Sequence, residues 1–164
     1  MDINVFLNWL AATSLSEFIN ESSWAFAAIE SLHVIVFVLV VGSIAVIDFR
    51  LLGLSSNNRT AAEMTREILP LTWSAYAVAI VTGALMITSS PAEYYHNLAF
   101  RLKFLFMALA GVNMLIFHFV TGKNMSGWEP GAAPPVSAKV AGALSLSFWI
   151  AVVVCGRWIG FTKM

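Results

Sequence analysis

The strongest constraint in this sequence is a set of four long apolar stretches. A helix needs about 20 mostly apolar residues to cross the hydrocarbon core of a bilayer, which is ~30 Å thick. The first stretch has no charged residue between Val34 and Ile47. We therefore predict an all-α integral membrane four-helix bundle, forming a single domain over residues 1–164. The four predicted spans cover about residues 29–52, 71–88, 98–120 and 140–161.

Composition excludes several other classes of protein. Of the 164 residues, 59% are hydrophobic and 11% are charged, whereas a typical soluble domain has about 45–50% apolar and about 25% charged residues. The formal net charge is zero, so we expect a lipid bilayer around the protein and no nucleic-acid partner. Cys155 is the single cysteine, which excludes an internal disulfide and a cysteine-based zinc site.

An amphipathic segment precedes the first span. In residues 3–21, apolar side chains recur at helical spacing, with Asn, Ser and Glu between them. This pattern is typical of a helix that lies on the membrane surface. A signal peptide does not fit, because the chain begins with Met1-Asp2 and its first cation is Arg50.

Positive charges predict the orientation. Arg59 and Arg66 lie in the loop between the first two spans, and Lys123 and Lys139 lie between the last two. The first 49 residues contain neither Lys nor Arg. Since cationic loops stay on the inner side of a membrane, we predict that both termini lie outside.

Ionisable side chains within the spans fall into two layers. Each charge in a bilayer core costs at least ~2.5–3.5 kcal/mol on insertion scales, so each needs a structural or functional reason. The simpler reason is ion pairing, of Glu30 with Lys103 or Arg157 and of Asp48 with Arg50. The outer layer contains Glu30, His33, Lys103 and Arg157, and the inner polar layer contains Asp48, Arg50, Asn113 and His118.

The outer layer suggests a haem b site, because histidine is a common axial ligand of haem iron. His33 lies near the outer face and Met107 lies at a similar depth, so the two could form a His/Met ligand pair. Lys103 and Arg157 could bind the haem propionates. His118 is about 18 Å deeper than His33 and cannot be its partner. The predicted function is therefore a small redox-linked protein that passes electrons between quinone and an outer-side redox partner.

A metal site is the alternative for the same region. Paired Glu-x-x-His motifs, together with two further glutamates, build di-metal carboxylate sites in helical bundles. Glu17 and Glu21 could be the further pair, and copper or iron would both suit the ligands. The two motifs in this chain are Glu30-Ser-Leu-His33 and Glu93-Tyr-Tyr-His96.

Two other classes of function stay open. The chain could be a non-catalytic subunit or scaffold of a larger membrane complex, with the ionic layers as structural contacts. It could instead be a small proton- or metal-linked carrier that acts as an oligomer. Such a carrier would use Glu30 and His33 outside, and Asp48 and His118 inside, as alternating sites. No motif assigns catalytic residues, so whether the protein is an enzyme is undecided.

Several motifs along the chain resemble an uncharacterised family of bacterial four-span inner-membrane proteins, known as a domain of unknown function. The resemblance implies the same topology and a bacterial inner (cytoplasmic) membrane location, and it implies no reaction. A fainter similarity, to membrane cytochrome b and copper-resistance membrane domains, depends on a histidine near the start of an apolar helix. The motifs are Glu30-Ser-Leu-His33, Val41-Gly42-Ser43, the block from Ile47 to Leu54, Leu69-Pro70, Trp73, Gly83, Tyr95 with Asn97, Phe100-Arg101-Leu102-Lys103, Asn113, Phe117-His118 and Gly156-Arg157.

Overall fold

The computed structural model describes residues 2–54, 61–121 and 133–162. Within these ranges the chain is helical and has no β-strand. The helices in chain order are α1 (Ile3–Ala11), α2 (Ser14–Glu21), α3 (Ala25–Leu52), α4 (Ala61–Ser89), α5 (Pro91–His96), α6 (Leu98–Ile116), a π-helix (Phe117–Thr121) and α7 (Val136–Ile159).

Four of the described helices, α3, α4, α6 and α7, are long and apolar enough to cross a membrane, which confirms the predicted helical membrane bundle. Their most apolar windows have mean hydropathies from 1.6 to 2.5. Helix α3 packs against α4 and α7, and α7 packs against α6. Helix α3 has 28 residues and is therefore ~42 Å long at ~1.5 Å per residue. It exceeds the ~30 Å hydrocarbon core, so part of it extends into the polar interface.

Three of the spanning helices begin earlier than predicted, and α3 is one of them, with its start at residue 25. Helix α4 begins at residue 61 and α7 at residue 136, in segments that are good helix formers but less apolar than the spans themselves. Pro70 lies inside α4, nine residues after its first residue. Its ring nitrogen cannot donate the backbone hydrogen bond to the carbonyl of Arg66.

The amphipathic N-terminal segment forms two helices, so the prediction of one continuous helix was wrong. The Thr13 hydroxyl accepts a hydrogen bond from the Ser16 backbone N–H at 3.3 Å, and this contact caps the start of α2. Trp9 on α1 and Phe18 on α2 are 62% and 56% exposed. Such exposed apolar side chains are typical of helices that lie at a membrane surface.

Helix α2 covers the C-terminal end of α4. The Ser16 hydroxyl donates to the Thr88 carbonyl at 2.8 Å, and the Asn20 amide donates to the Ser89 carbonyl at 2.9 Å. The last carbonyls of a helix have no partner within the helix, so these two contacts complete the end of α4. We call the end of the bundle that carries α1, α2 and α5 the capped end, and the opposite end the loop end.

The contact between α3 and α4 combines an apolar cluster with a hydrogen bond. The Thr72 hydroxyl donates to the Ser43 hydroxyl oxygen at 2.8 Å, and Ser43 donates to the Val40 carbonyl at 2.9 Å. This polar contact fixes the register of the two helices at the centre of the bundle. The buried residues of the apolar cluster are Val36, Val40, Ala75 and Ala79.

Candidate functional site

His33 forms a hydrogen bond across the α3–α4 contact near the capped end. Its Nδ1 lies 2.9 Å from the hydroxyl oxygen of Thr82. The Thr82 hydroxyl also lies 2.8 Å from the Val78 carbonyl; when it donates to that carbonyl, its oxygen can accept the Nδ1–H of His33. In a neutral imidazole with hydrogen on Nδ1, the lone pair of Nε2 is available to a ligand.

A glycine makes room for the His33 ring on α4. A Cβ atom added to Gly83 would lie 3.2 Å from Cε1 of His33, which is closer than ordinary contact. On the other side, the Phe37 ring stacks on the imidazole, with centroids 6.0 Å apart and an angle of 18° between the planes. The ring is therefore held between the backbone of α4 and an aromatic side chain one turn along α3.

Lys103 reaches into the bundle from α6. Its ammonium nitrogen lies 5.0 Å from the centroid of the Phe37 ring, a cation–π contact. It passes Gly156 on α7, where an added Cβ would be 3.6 Å from Nζ. The Trp149 ring, also on α7, lies 6.2 Å from the Phe37 ring. All four spanning helices thus contribute to one group of side chains, which we call the capped-end site: His33, Phe37, Thr82, Lys103 and Trp149.

The capped-end site contains one cationic side chain, Lys103. Lys103 and His33 both contact the Phe37 ring, and Lys103 also lies next to Gly156. A charged ammonium in a membrane is costly unless it meets an anion or water. The capped-end site is therefore suited to a ligand that combines an apolar body with a negative group.

The other residues predicted for a haem site lie outside the group that forms the capped-end site. Met107 is half-buried on α6, one turn beyond Lys103. Arg157 is exposed, and its guanidinium carbon lies 4.8 Å from the centroid of the Phe161 ring, close to the end of α7. Glu30 is exposed near the start of α3. Of the four groups predicted for the outer layer, the structure brings His33 and Lys103 together.

The residues predicted for a metal site are spread over the capped end. Glu93 and His96 are exposed on the short helix α5, where the His96 ring lies 5.2 Å from the Tyr95 ring. Glu17 and Glu21 are exposed on α2. In residues 2–54, 61–121 and 133–162, no three His, Cys, Asp or Glu side chains are grouped closely enough to hold a metal ion. The di-metal site therefore stays a prediction without an assembled ligand set.

A groove runs along the outside of α6 and α7 at the capped end. Its volume is about 470 Å³, and its lining includes Leu102, Cys155 and Trp158, with His96 and Asn97 among its polar residues. The Asn97 side chain is fixed, since its amide donates to the Thr162 hydroxyl at 3.0 Å. The groove is thus an apolar surface close to the helix turn that carries Lys103.

The predicted inner polar layer is divided between two sides of α3. Asp48 and Arg50 are 4% and 2% exposed, and two positions along a helix place them on opposite sides. Ser145 of α7 lies next to the Asp48 carboxyl group. The two side chains are therefore buried in different surroundings.

Helix α7 also contacts Asn113, another residue of the predicted inner polar layer. The Asn113 amide on α6 donates to the Ala141 carbonyl at 2.9 Å, within about one turn of Ser145. His118 is exposed on the π-helix and contacts Phe119 edge-on, with ring centroids 5.3 Å apart. The structure therefore brings Asp48 and Asn113 to one part of α7 and leaves His118 outside.

Sequence reasoning missed the partners that hold these groups, namely Phe37, Thr82, Trp149 and Ser145. A usable signal existed for Thr82. The pairs Ser43–Thr72 and His33–Thr82 are separated by ten residues on each helix, as expected for two antiparallel helices in one register. Pairing Ser43 of the first span with Thr72 of the second, in antiparallel register, would have placed Thr82 opposite His33.

The family model of a family of unknown function, DUF6644, matches residues 6–162. The chain belongs to this family, which confirms the resemblance to a domain of unknown function. No curated protein and no solved structure matches the chain. Family membership covers the whole bundle and supplies no activity, so function must be argued from the geometry.

Proposed function

We propose that this protein binds haem b at the capped-end site, with His33 as an axial ligand, and takes part in electron transfer within the membrane. The observation that carries the proposal is the hydrogen bond between His33 and Thr82. Histidines that bind metals commonly donate their second ring N–H to an acceptor, which fixes the tautomer and the ring orientation. His33 fits this arrangement when Nδ1 carries the hydrogen, and Nε2 would then bind the iron.

The donor set of the site fits haem b. An imidazole nitrogen suits the iron, a lysine ammonium suits a carboxylate such as a propionate, and Phe37 and Trp149 offer apolar aromatic surface. Met107, half-buried on α6 one turn beyond Lys103, would be the second residue to hold the iron. Bound haem would supply the one-electron chemistry.

Each residue of the site has a separate role in this proposal. Thr82 orients the imidazole, and Gly83 leaves space for the ring against α4. Lys103 provides a positive charge in a region of low dielectric, where its attraction for an anionic group is stronger than in water. These roles support binding and orientation of the cofactor.

The proposed partners follow from the apolar surroundings. The groove along α6 and α7 is mostly apolar and includes exposed Leu98 and Trp158, which supports a lipophilic electron carrier such as a quinone. The second partner would be a redox protein on the outer side, where the orientation predicted from the cationic loops places the capped end.

The test is the visible spectrum of the purified protein in mild detergent, oxidised and then reduced with dithionite. We expect a Soret band that is lost in His33→Ala. The matched control is His118→Ala, which removes an exposed histidine near the loop end and should leave the band unchanged. A preparation that stays colourless after haem is added would overturn the proposal, and so would equal loss of the band in both variants.

A further inference from the structure

Two exposed arginines lie at a similar level of the bundle, one on α6 and one on α7. The Asn97 side-chain amide donates to the Thr162 hydroxyl at 3.0 Å, which brings the start of α6 and the end of α7 to the same level. Arg101 follows Asn97 by four residues and Arg157 precedes Thr162 by five. They therefore lie about 6 Å and about 7.5 Å farther along the bundle, so the two guanidinium groups share one depth.

Both arginines are neighbours of the groove along α6 and α7. Arg101 is three residues after Leu98, and Arg157 is three residues after Val154. Positions three apart on a helix differ in direction by about 60°, so each arginine lies beside a lining residue of the groove. Leu98 is 68% exposed and Val154 is 51% exposed, which places the arginines at the open side of the groove.

An aromatic ring holds each guanidinium group. The guanidinium carbon of Arg101 lies 5.4 Å from the centroid of the Tyr95 ring, and its Nε donates to the Tyr95 carbonyl at 3.0 Å. The guanidinium carbon of Arg157 lies 4.8 Å from the centroid of the Phe161 ring. A ring contacts the face of a guanidinium group, whereas its N–H donors point outward in the plane and suit phosphate oxygens. Both groups are thus positioned to bind an anion beside the groove.

The groove itself is suited to a hydrocarbon chain. Its volume is about 470 Å³, and its described lining contains no acidic residue. Glu93 lines an adjacent cavity of about 340 Å³. Basic groups beside an apolar space between membrane helices are typical of sites for anionic lipid headgroups. The lining residues on the two helices are Leu98, Ala99, Leu102, Val154, Cys155 and Trp158.

We propose that the groove along α6 and α7 binds an anionic phospholipid, with an acyl chain along the apolar lining and the headgroup bound by Arg101 and Arg157. Charge complementarity selects this lipid over a zwitterionic one, because a choline group brings a positive charge towards the two guanidinium groups. A quinone that enters the groove has to displace this acyl chain. Lipid binding here requires no haem at His33.

The test is native mass spectrometry of the full-length, haem-free protein in detergent, mixed with equal amounts of phosphatidylglycerol and phosphatidylcholine. We expect the phosphatidylglycerol complex to predominate. Each cation near an anionic lipid changes the affinity by about fivefold, so the double variant Arg101→Gln, Arg157→Gln should lower this preference by about 25-fold. Equal amounts of the two complexes in the unmodified protein would overturn the proposal.

The double variant Arg66→Gln, Lys139→Gln is the matched control, since both residues are exposed near the loop end. It removes the same two positive charges from the protein and should keep the preference for phosphatidylglycerol. An equal loss of preference in the two double variants would indicate a general effect of net charge, and it would contradict a site at the groove.

Cys155 separates binding in the groove from binding at its edge, because its side chain lines the groove. Cys155→Phe fills part of the space for the acyl chain, whereas Cys155→Ser keeps the size of the side chain. We expect phosphatidylglycerol binding to fall in Cys155→Phe and to persist in Cys155→Ser. Unchanged binding in Cys155→Phe would show that the lipid lies outside the groove. The arginine variants test the headgroup contact even if Cys155→Phe does not fold, and haem-free protein keeps the result independent of the proposed function.

Discussion

Nδ1 of His33 is hydrogen-bonded to the hydroxyl group of Thr82 across the α3–α4 contact, over 2.9 Å. Thr82→Val keeps the shape of the side chain and removes the acceptor. Loss of an outer partner of a metal-binding histidine typically lowers metal affinity or activity by about 10–100-fold. We therefore expect haem affinity, measured by spectroscopic titration of the haem-free protein, to fall by about that factor in Thr82→Val.

The matched control is Thr72→Val, which breaks the other side-chain hydrogen bond in the same register, between Thr72 and Ser43. Hydrogen bonds between membrane helices contribute about 0.6 kcal/mol on average, so both variants should lose a similar, small amount of stability. Haem affinity should change in Thr82→Val alone. If Thr72→Val lowers it equally, the effect is general destabilisation and Thr82 does not act through His33.

Lys103→Met tests the role of the ammonium, because it keeps an unbranched apolar stem and removes the charge. A hydrogen bond to a charged group contributes about 1.5–3 kcal/mol, so we expect haem affinity to fall by at least about tenfold. Stability should not fall in parallel, since the variant also removes the cost of holding a charge inside the bundle.

Lys139→Met is the control for that experiment, since Lys139 is exposed near the start of α7. It removes the same charge from the protein without touching the capped-end site. Comparable affinity loss in both variants would indicate a long-range effect of net charge, and it would contradict a direct contact between Lys103 and the cofactor.

Hydropathy predicted the four spans because crossing a bilayer imposes both a length and a composition. It could not predict where α4 begins, because residues 61–69 extend the helix without being apolar throughout. It also could not find the break between α1 and α2, where Thr13 caps the second helix. Both differences arise from local backbone chemistry, which an average over many residues does not detect.

The sequence predicted how deep the site residues lie along their helices, but it did not predict which face of its helix each residue occupies. Depth along the helices placed His33, Lys103 and Arg157 in one layer, and the structure joins the first two through Phe37. Successive residues of a helix are turned by about 100°. Since Gly156 faces Lys103, Arg157 must point elsewhere. Helix faces depend on which neighbours pack together, and this information is not present in the order of residues along one span.

Gly142→Ala tests the close contact of α3 and α7. The added methyl would lie 3.1 Å from the Asp48 carbonyl oxygen, which belongs to the backbone and cannot turn away as a side chain can. Overpacking of this kind typically costs about 1–3 kcal/mol. We expect a lower thermal unfolding temperature in detergent for this variant.

Gly111→Ala on α6 is the control, because an added Cβ there has nothing within 4 Å among the described residues. Alanine is about 0.8–1.0 kcal/mol more favourable than glycine inside a helix, so Gly111→Ala should leave stability unchanged or raise it. Equal destabilisation of the two variants would show that α7 does not lie against α3 as described.

Ser16→Ala tests the docking of α2 on the capped end. The Ser16 side chain is fully buried and donates to the Thr88 carbonyl at 2.8 Å. Removing the donor leaves a carbonyl at the end of α4 without its partner, at a cost of about 1–3 kcal/mol. Ser14→Ala changes an exposed serine on the same helix and is the matched control. We expect limited proteolysis in detergent to cleave the N-terminal segment faster in Ser16→Ala than in Ser14→Ala. Equal rates for the two variants would mean that this hydrogen bond does not hold α2 in place.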